Sequence, residues 1–101
     1  MDIDTAAKRL AELGHPSRLS VMRLLVQAGP DGLPVKDVQA RVGIPQSTLS
    51  HHLAHLLAAG LISQTREGRV LRCRVEYLAL QAVLTFLMQD CCAGLAGPLQ
   101  G

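Results

Sequence analysis

Apolar residues recur at helical spacing in four successive runs, give way to strict alternation, and end in a stretch that is apolar almost throughout. Ile3, Ala6, Ala7, Leu10 and Leu13 lie on one helical face. Gly14 ends that run, and Pro16 suits the first turn of the next helix, where its missing N–H costs nothing. Leu19, Met22, Leu25 and Val26 line a second face that ends at Ala28. Gly29, Pro30, Asp31, Gly32 and Pro34 then form a breaker cluster. A short helix follows, carrying Val35, Val38 and Val42 and closed by Gly43. Ile44-Pro45 makes a tight connection to a fourth helix over residues 46–59, with Leu49, Leu53, Leu56 and Leu57 as its buried stripe and Gly60 as its stop.

Residues 61–66 and 70–75 alternate as two strands around the turn Glu67-Gly68-Arg69. In the second strand Leu71, Cys73 and Val75 share one face, while Val70, Arg72 and Arg74 share the other, mostly basic one. A last helix is expected from about Leu78 to Asp90 or Cys91. It has almost no polar side, which predicts burial on both faces. In so small a chain, one of those faces is expected to meet a second subunit. The expected fold is mainly α with a β-hairpin wing, in the order α-α-α-α-β-β-α. Residues 1–92 form one domain, followed by a flexible tail over 93–101.

Charge changes this picture more than composition does. Residues 35–75 hold six Lys or Arg against two acids, whereas residues 1–34 balance and residues 76–101 carry only Glu76 and Asp90. The middle of the chain is therefore where a phosphate-contacting surface is expected. Only Tyr77 and Phe86 are aromatic, which argues against single-strand binding on stacking platforms. No apolar run is long enough for a membrane span, and Asp2 and Asp4 are unlike a secretory signal, so a cytoplasmic protein without a membrane partner is expected.

Two helices joined by a tight Gly-containing turn, with a basic hairpin directly behind them, read as a winged helix-turn-helix. In that arrangement the N-terminal residues of the second helix meet base edges in the major groove of double-stranded DNA. Here those residues are Gln46, Ser47, Thr48, Ser50 and His51. Gln pairs bidentately with adenine, Ser and Thr serve several bases, and the Thr48 methyl suits thymine. Arg66 and Arg69 extend the surface into the wing, while Arg72 and Arg74 either touch phosphate or pair with acids. The bland alternative is that Ser47 and Thr48 merely start and cap a surface helix. His51 and His55, four apart, have zinc-compatible spacing, but a base or phosphate contact is the more economical reading of His51. His15 reads as a helix-entry residue and His52 as a packed one.

The run Leu13-Gly14-His15-Pro16-Ser17-Arg18-Leu19, the stretch Gln46-Ser47-Thr48-Leu49-Ser50-His51-His52-Leu53 and the segment Ala59-Gly60-Leu61-Ile62 together resemble the ArsR/SmtB family of metalloregulatory repressors. The resemblance covers roughly residues 5–90. It implies a bacterial cytoplasmic homodimer paired through its first and last helices. It also implies an operator of twofold symmetry and release of that DNA by an inducer, with no cofactor required and no catalysis. The Cys-x-Val-Cys box of one arsenic-sensing type is absent from Val35-Lys36-Asp37-Val38-Gln39, and the last helix lacks the histidines of the zinc-sensing type. What remains is Cys91-Cys92, with Cys73 in the wing as a third candidate ligand. The pair looks like that of family members sensing trivalent arsenicals, which are soft centres that prefer thiolates. A methylated arsenical needs two sulfurs, whereas arsenite or antimonite would want a third. Cys73 shares a face with Leu71 and Val75, so packing competes with ligation there. A thiol-based redox or sulfur-responsive repressor of the same fold is the alternative. A thiol enzyme would want a Cys-x-x-Cys loop or a base partner, and neither is present.

Overall fold

The computed structural model describes residues 1–95; the part of the expected flexible tail at 96–101 lies outside the described residues. The elements are α1 (Ile3–Leu13), α2 (Pro16–Ala28), β1 (Leu33–Pro34), α3 (Val35–Val42), α4 (Gln46–Ala58), β2 (Ile62–Glu67), β3 (Val70–Val75) and α5 (Tyr77–Met88). The first two helix starts have a side-chain cap. The Asp2 carboxylate accepts from Thr5 N at 2.7 Å and caps α1. His15 caps α2 with Nδ1, which accepts from Ser17 N at 3.1 Å, and Pro16 follows in the first turn. His15 is thus the helix-entry residue its position suggested. The α3–α4 turn is closed by Gly43 at φ 74°, a conformation that side chains with a Cβ resist.

The core is one cluster drawn from α2, α3, α4 and the hairpin. Val21, Leu25, Val38, Leu49, Leu56, Leu61 and Cys73 are wholly buried in it. Three of the four residues of the α4 stripe lie inside, but Leu57 is exposed, because α4 packs on α2 and β2 through a narrower face than the spacing implied.

Three other expectations are corrected. First, the breaker cluster contains a strand. Leu33 and Pro34 pair antiparallel with Cys73 and Arg72, giving a three-stranded sheet in the order β1-β3-β2. Gly32 permits the approach: a Cβ there would sit 1.9 Å from the Cys73 carbonyl oxygen. Second, the hairpin runs one residue further than expected. Glu67 opposes Val70, so the turn is Gly68-Arg69, with Gly68 at φ 63°. Third, α5 ends at Met88 rather than at Asp90 or Cys91. Gln89 is extended, and Asp90 and Cys92 both take positive φ, which breaks helical continuation.

The single chain also does not bury both faces of α5. Val83 alone in this helix is fully buried, while Leu78, Leu84, Leu87 and Met88 stand exposed, Leu78 at 87%. Ile3 and Leu10 of α1 add to this apolar surface. A groove between α2 and α5, lined by Leu13, Leu19, Met22, Val26, Leu80 and Leu84, continues it. Among the described residues no helix is long and apolar enough to cross a membrane.

Candidate nucleic-acid interface

Helix α4 begins after Pro45, whose side chain makes no capping hydrogen bond. Ser47 and Thr48 therefore do not cap their own helix; they lie exposed in its first turn. Gln46, Ser47, Thr48, Ser50 and His51 are all exposed, while Leu49 among them is fully buried. Leu49 anchors this first part of the helix, and the polar side chains around it are left for solvent or a ligand. The unsatisfied N–H groups of a helix start add partial positive charge at the same place.

In the wing the four arginines divide into two pairs. Arg66 and Arg69 are exposed and form no ion pair among the described residues. Arg72 and Arg74 both reach Glu67: Arg72 Nε donates to Oε1 at 2.8 Å, and Arg74 donates to Oε2 at 3.4 Å. Arg72 also donates to the Asp31 carbonyl, and Arg74 to Thr65 Oγ1. The hydrogen bond from Arg72 is the main cause that holds the Glu67 carboxyl below the usual carboxylate range. The choice left open for Arg72 and Arg74 thus resolves toward contact with an acid, although the single Glu67 carboxylate offsets only one of their two charges, while Arg66 and Arg69 have no acidic partner among the described residues.

Behind α4 lies a polar cluster that spacing along the chain did not reveal. His52 is buried, its ring 4.6 Å from that of His15, and Arg18 approaches its Nδ1 at 3.5 Å. Burial, followed by the charges of His15 and Arg18, pushes the His52 pKa down. The Arg18 guanidinium donates to the Glu12 carbonyl at 2.7 Å and lies 3.4 Å from Glu12 Oε2. The same Oε2 is 3.1 Å from His55 Nδ1, and His55 Nε2 is 3.1 Å from His51 Nε2. Glu12 carries no motif, and Arg18 stands in the run Leu13–Leu19 without a sign of its partners; the packing of α1 on α2 and of α2 on α4 brings them here.

The cysteines separate. Cys73 is fully buried and accepts from Gln64 Nε2 at 3.3 Å, and burial pushes its thiol pKa up. Cys91 and Cys92 are exposed in the turn after α5, with their sulfurs 3.3 Å apart. Among the described residues no group of three His, Cys, Asp or Glu is placed to hold an ion, so a single chain does not bring Cys73 to the pair.

With this geometry in place, comparison with known proteins is decisive for the family. Residues 13–65, more than half of the chain, match the family described as "Helix-turn-helix domain". The repressor BigR from Xylella fastidiosa superposes with a TM-score of 0.65 at 32% identity, covering 87% of both chains. The chain belongs to the ArsR/SmtB family of winged helix-turn-helix regulators. A Halobacterium salinarum relative named as an arsenical resistance operon repressor, ArsR2, is 37% identical over 59 residues. That match takes in 58% of this chain and 49% of the relative, so the chain spans about half the length of that protein. The homodimeric winged helix-turn-helix DNA-binding domain of Mb0332 from Mycobacterium bovis shares 25% identity with a TM-score of 0.68, covering 96% of this chain and 90% of that one.

Proposed function

We propose that this ArsR/SmtB member is a dimeric transcriptional repressor. In this reading it holds twofold-symmetric operator DNA through α4 and the wing, and it releases that DNA when a trivalent arsenical binds Cys91 and Cys92. Gln46, Ser47, Thr48, Ser50 and His51 read bases or touch phosphate, while Arg66 and Arg69 neutralise phosphate beside them. The apolar surface of α1 and α5 joins the subunits. Pairing there sets the two α4 helices about 34 Å apart, one turn of DNA.

The observation that carries the inducer assignment is the 3.3 Å separation of two exposed sulfurs. Two metal–thiolate bonds of about 2.3 Å meeting near a right angle span about 3.3 Å. A methylarsonous acid would therefore chelate without moving the backbone. Two As–S bonds form, and both hydroxyls leave as water with the thiol protons. Cys73 is better explained as a packed thiol, so inorganic arsenite or antimonite would need a third sulfur from elsewhere. The pair directly follows α5, so ligation acts where the subunits meet and turns the α4 helices out of register. The coupling is a free energy between two sites, so DNA must weaken arsenical binding by the same factor.

The test is release of selected DNA by reduced protein, titrated in parallel with methylarsenite, arsenite, antimonite, zinc and peroxide. Methylarsenite is expected to release it, and Cys91→Ser or Cys92→Ser to abolish release while leaving DNA binding intact. Release by peroxide alone would overturn the arsenical assignment and move the pair to a redox role.

A further inference from the structure

We propose that Glu12 and His55 are positioning residues for His51: they fix its tautomer and its site of proton uptake, so that α1 sets how this DNA-facing histidine presents itself. The inference rests on the reading of α4 as the DNA-binding helix.

The proton assignment follows from the chain of contacts. Glu12 Oε2 is a buried carboxylate oxygen with no well-aligned hydrogen bond, although His55 Nδ1 stands 3.1 Å away and Arg18 Nε 3.4 Å away. A carboxylate only accepts, and its negative charge 3.1 Å from that nitrogen favours the Nδ1–H form of His55 over the form with a lone pair there, without an aligned hydrogen bond. In neutral His55 the other nitrogen, Nε2, then accepts. His51 Nε2 lies 3.1 Å from it and must donate. Neutral His51 is thereby held as the Nε2–H tautomer, with Nδ1 as a free acceptor that has no hydrogen-bond partner among the described residues. This is the arrangement by which a carboxylate behind one imidazole selects its tautomer and orientation.

Two consequences follow. Neutral His51 offers an acceptor at Nδ1, suited to an amino group of adenine or cytosine. Protonated His51 offers a donor at the same atom, suited to guanine or phosphate. While this contact is kept, the pair accepts one proton and not two, because hydrogens on both Nε2 atoms would collide across 3.1 Å. The groups facing the pair are Glu12 from α1, Arg18 and, before it, His15 from the start of α2, and His52 from α4, whose ring is 6.1 Å from that of His51. Glu12 is the one negative charge among these named groups. DNA phosphates add negative charge from the other side, so binding and protonation of His51 reinforce each other. Proton uptake by the pair therefore strengthens DNA binding.

The experiment has two readouts on the full chain in the presence of a chelator. The first is the ¹⁵N chemical shifts of the histidine rings without DNA, which report tautomers directly. His51 is expected as the Nε2–H form in the wild type and as a mixture in His55→Ala. His55→Gln, whose amide oxygen can still accept from His51, is expected to restore the preference, and Glu12→Gln to weaken it. Wild-type His51 without a tautomer preference, or with one indifferent to His55→Ala, overturns the proposal. The second readout is the pH dependence of affinity for a duplex that the wild-type protein selects from a random-sequence pool. His55→Ala is expected to flatten the pH profile and weaken binding several-fold at pH 6. If the NMR result holds but His51→Ala binds this duplex as the wild type does across pH, the relay stands and the placement of His51 against DNA falls.

Discussion

Replacing Gly32 with Ala tests whether β1 belongs to the wing. Gly32 and Gly68 share almost the same φ, 64° and 63°, but not the same surroundings. Around Gly68 a new methyl meets nothing within 4 Å. At Gly32 it would lie 1.9 Å from the Cys73 carbonyl oxygen and 2.8 Å from the Cys73 carbonyl carbon, both backbone atoms. Gly68→Ala therefore reports the left-handed conformation alone, about 1–2 kcal/mol. Gly32→Ala carries that cost and a clash that no rotamer relieves. Relative to a C···O contact of about 3.3 Å, β1 and β3 must part by about 1.4 Å, which breaks their pairing. We expect a total above about 4 kcal/mol, in the tail that single substitutions rarely reach. Urea unfolding of both variants, at one protein concentration because subunit association adds to stability, measures the difference. At a slope of about 1–3 kcal/mol per molar urea, the two midpoints should differ by roughly a molar or more. Equal midpoints would refute the claim that β1 packs edge-on against Cys73.

Three further expectations rest on other contacts. Arg69→Ala should weaken DNA binding and lower the salt dependence by about one phosphate contact, whereas Arg72→Ala, whose partner is Glu67, should lower it far less; salt titrations of affinity separate the two. His52 titrates lower in the folded chain than unfolded, chiefly through burial. The unfolded state thus binds the proton more readily, so the stability this residue supplies is present above about pH 6.5 and is lost as pH falls toward its folded value. Unfolding curves at pH 7.5 and 5.5 should show that loss, and His52→Asn should reduce it. Leu87→Glu, on the exposed face of α5, should leave the helical spectrum intact and shift sedimentation toward the monomer; an unchanged dimer would place the subunit contact elsewhere.

The helices, the hairpin and the core stripe were legible because their causes are local. Gly14, Gly43 and Gly60 punctuate the helices, the three- and four-residue spacing of Val35, Val38 and Val42 or of Leu49, Leu53 and Leu56 marks a buried face, and alternation in β3 puts Cys73 on the core side. The motif around Ser47–His51 also lay within one segment, so its exposure could be anticipated. What the tertiary structure alone decided are pairings between distant residues. β1 is two residues long and contains a proline, too short for any periodicity, and it exists because β3 supplies the other half of its ladder. The pairing of Arg72 and Arg74 with one shared acid depends on Glu67 across the turn, which charge counting treats as mere proximity. The early end of α5, through positive φ at Asp90 and Cys92, moved the cysteine pair off the helix and set its sulfurs together. Glu12 meets His55 although the two are far apart in sequence, because α1 packs beside α2 and α2 carries α4. Local patterning specifies which face each element buries, but a buried carboxylate selects its partner only when the helices are packed, since the cost of leaving it alone arises only once water is gone.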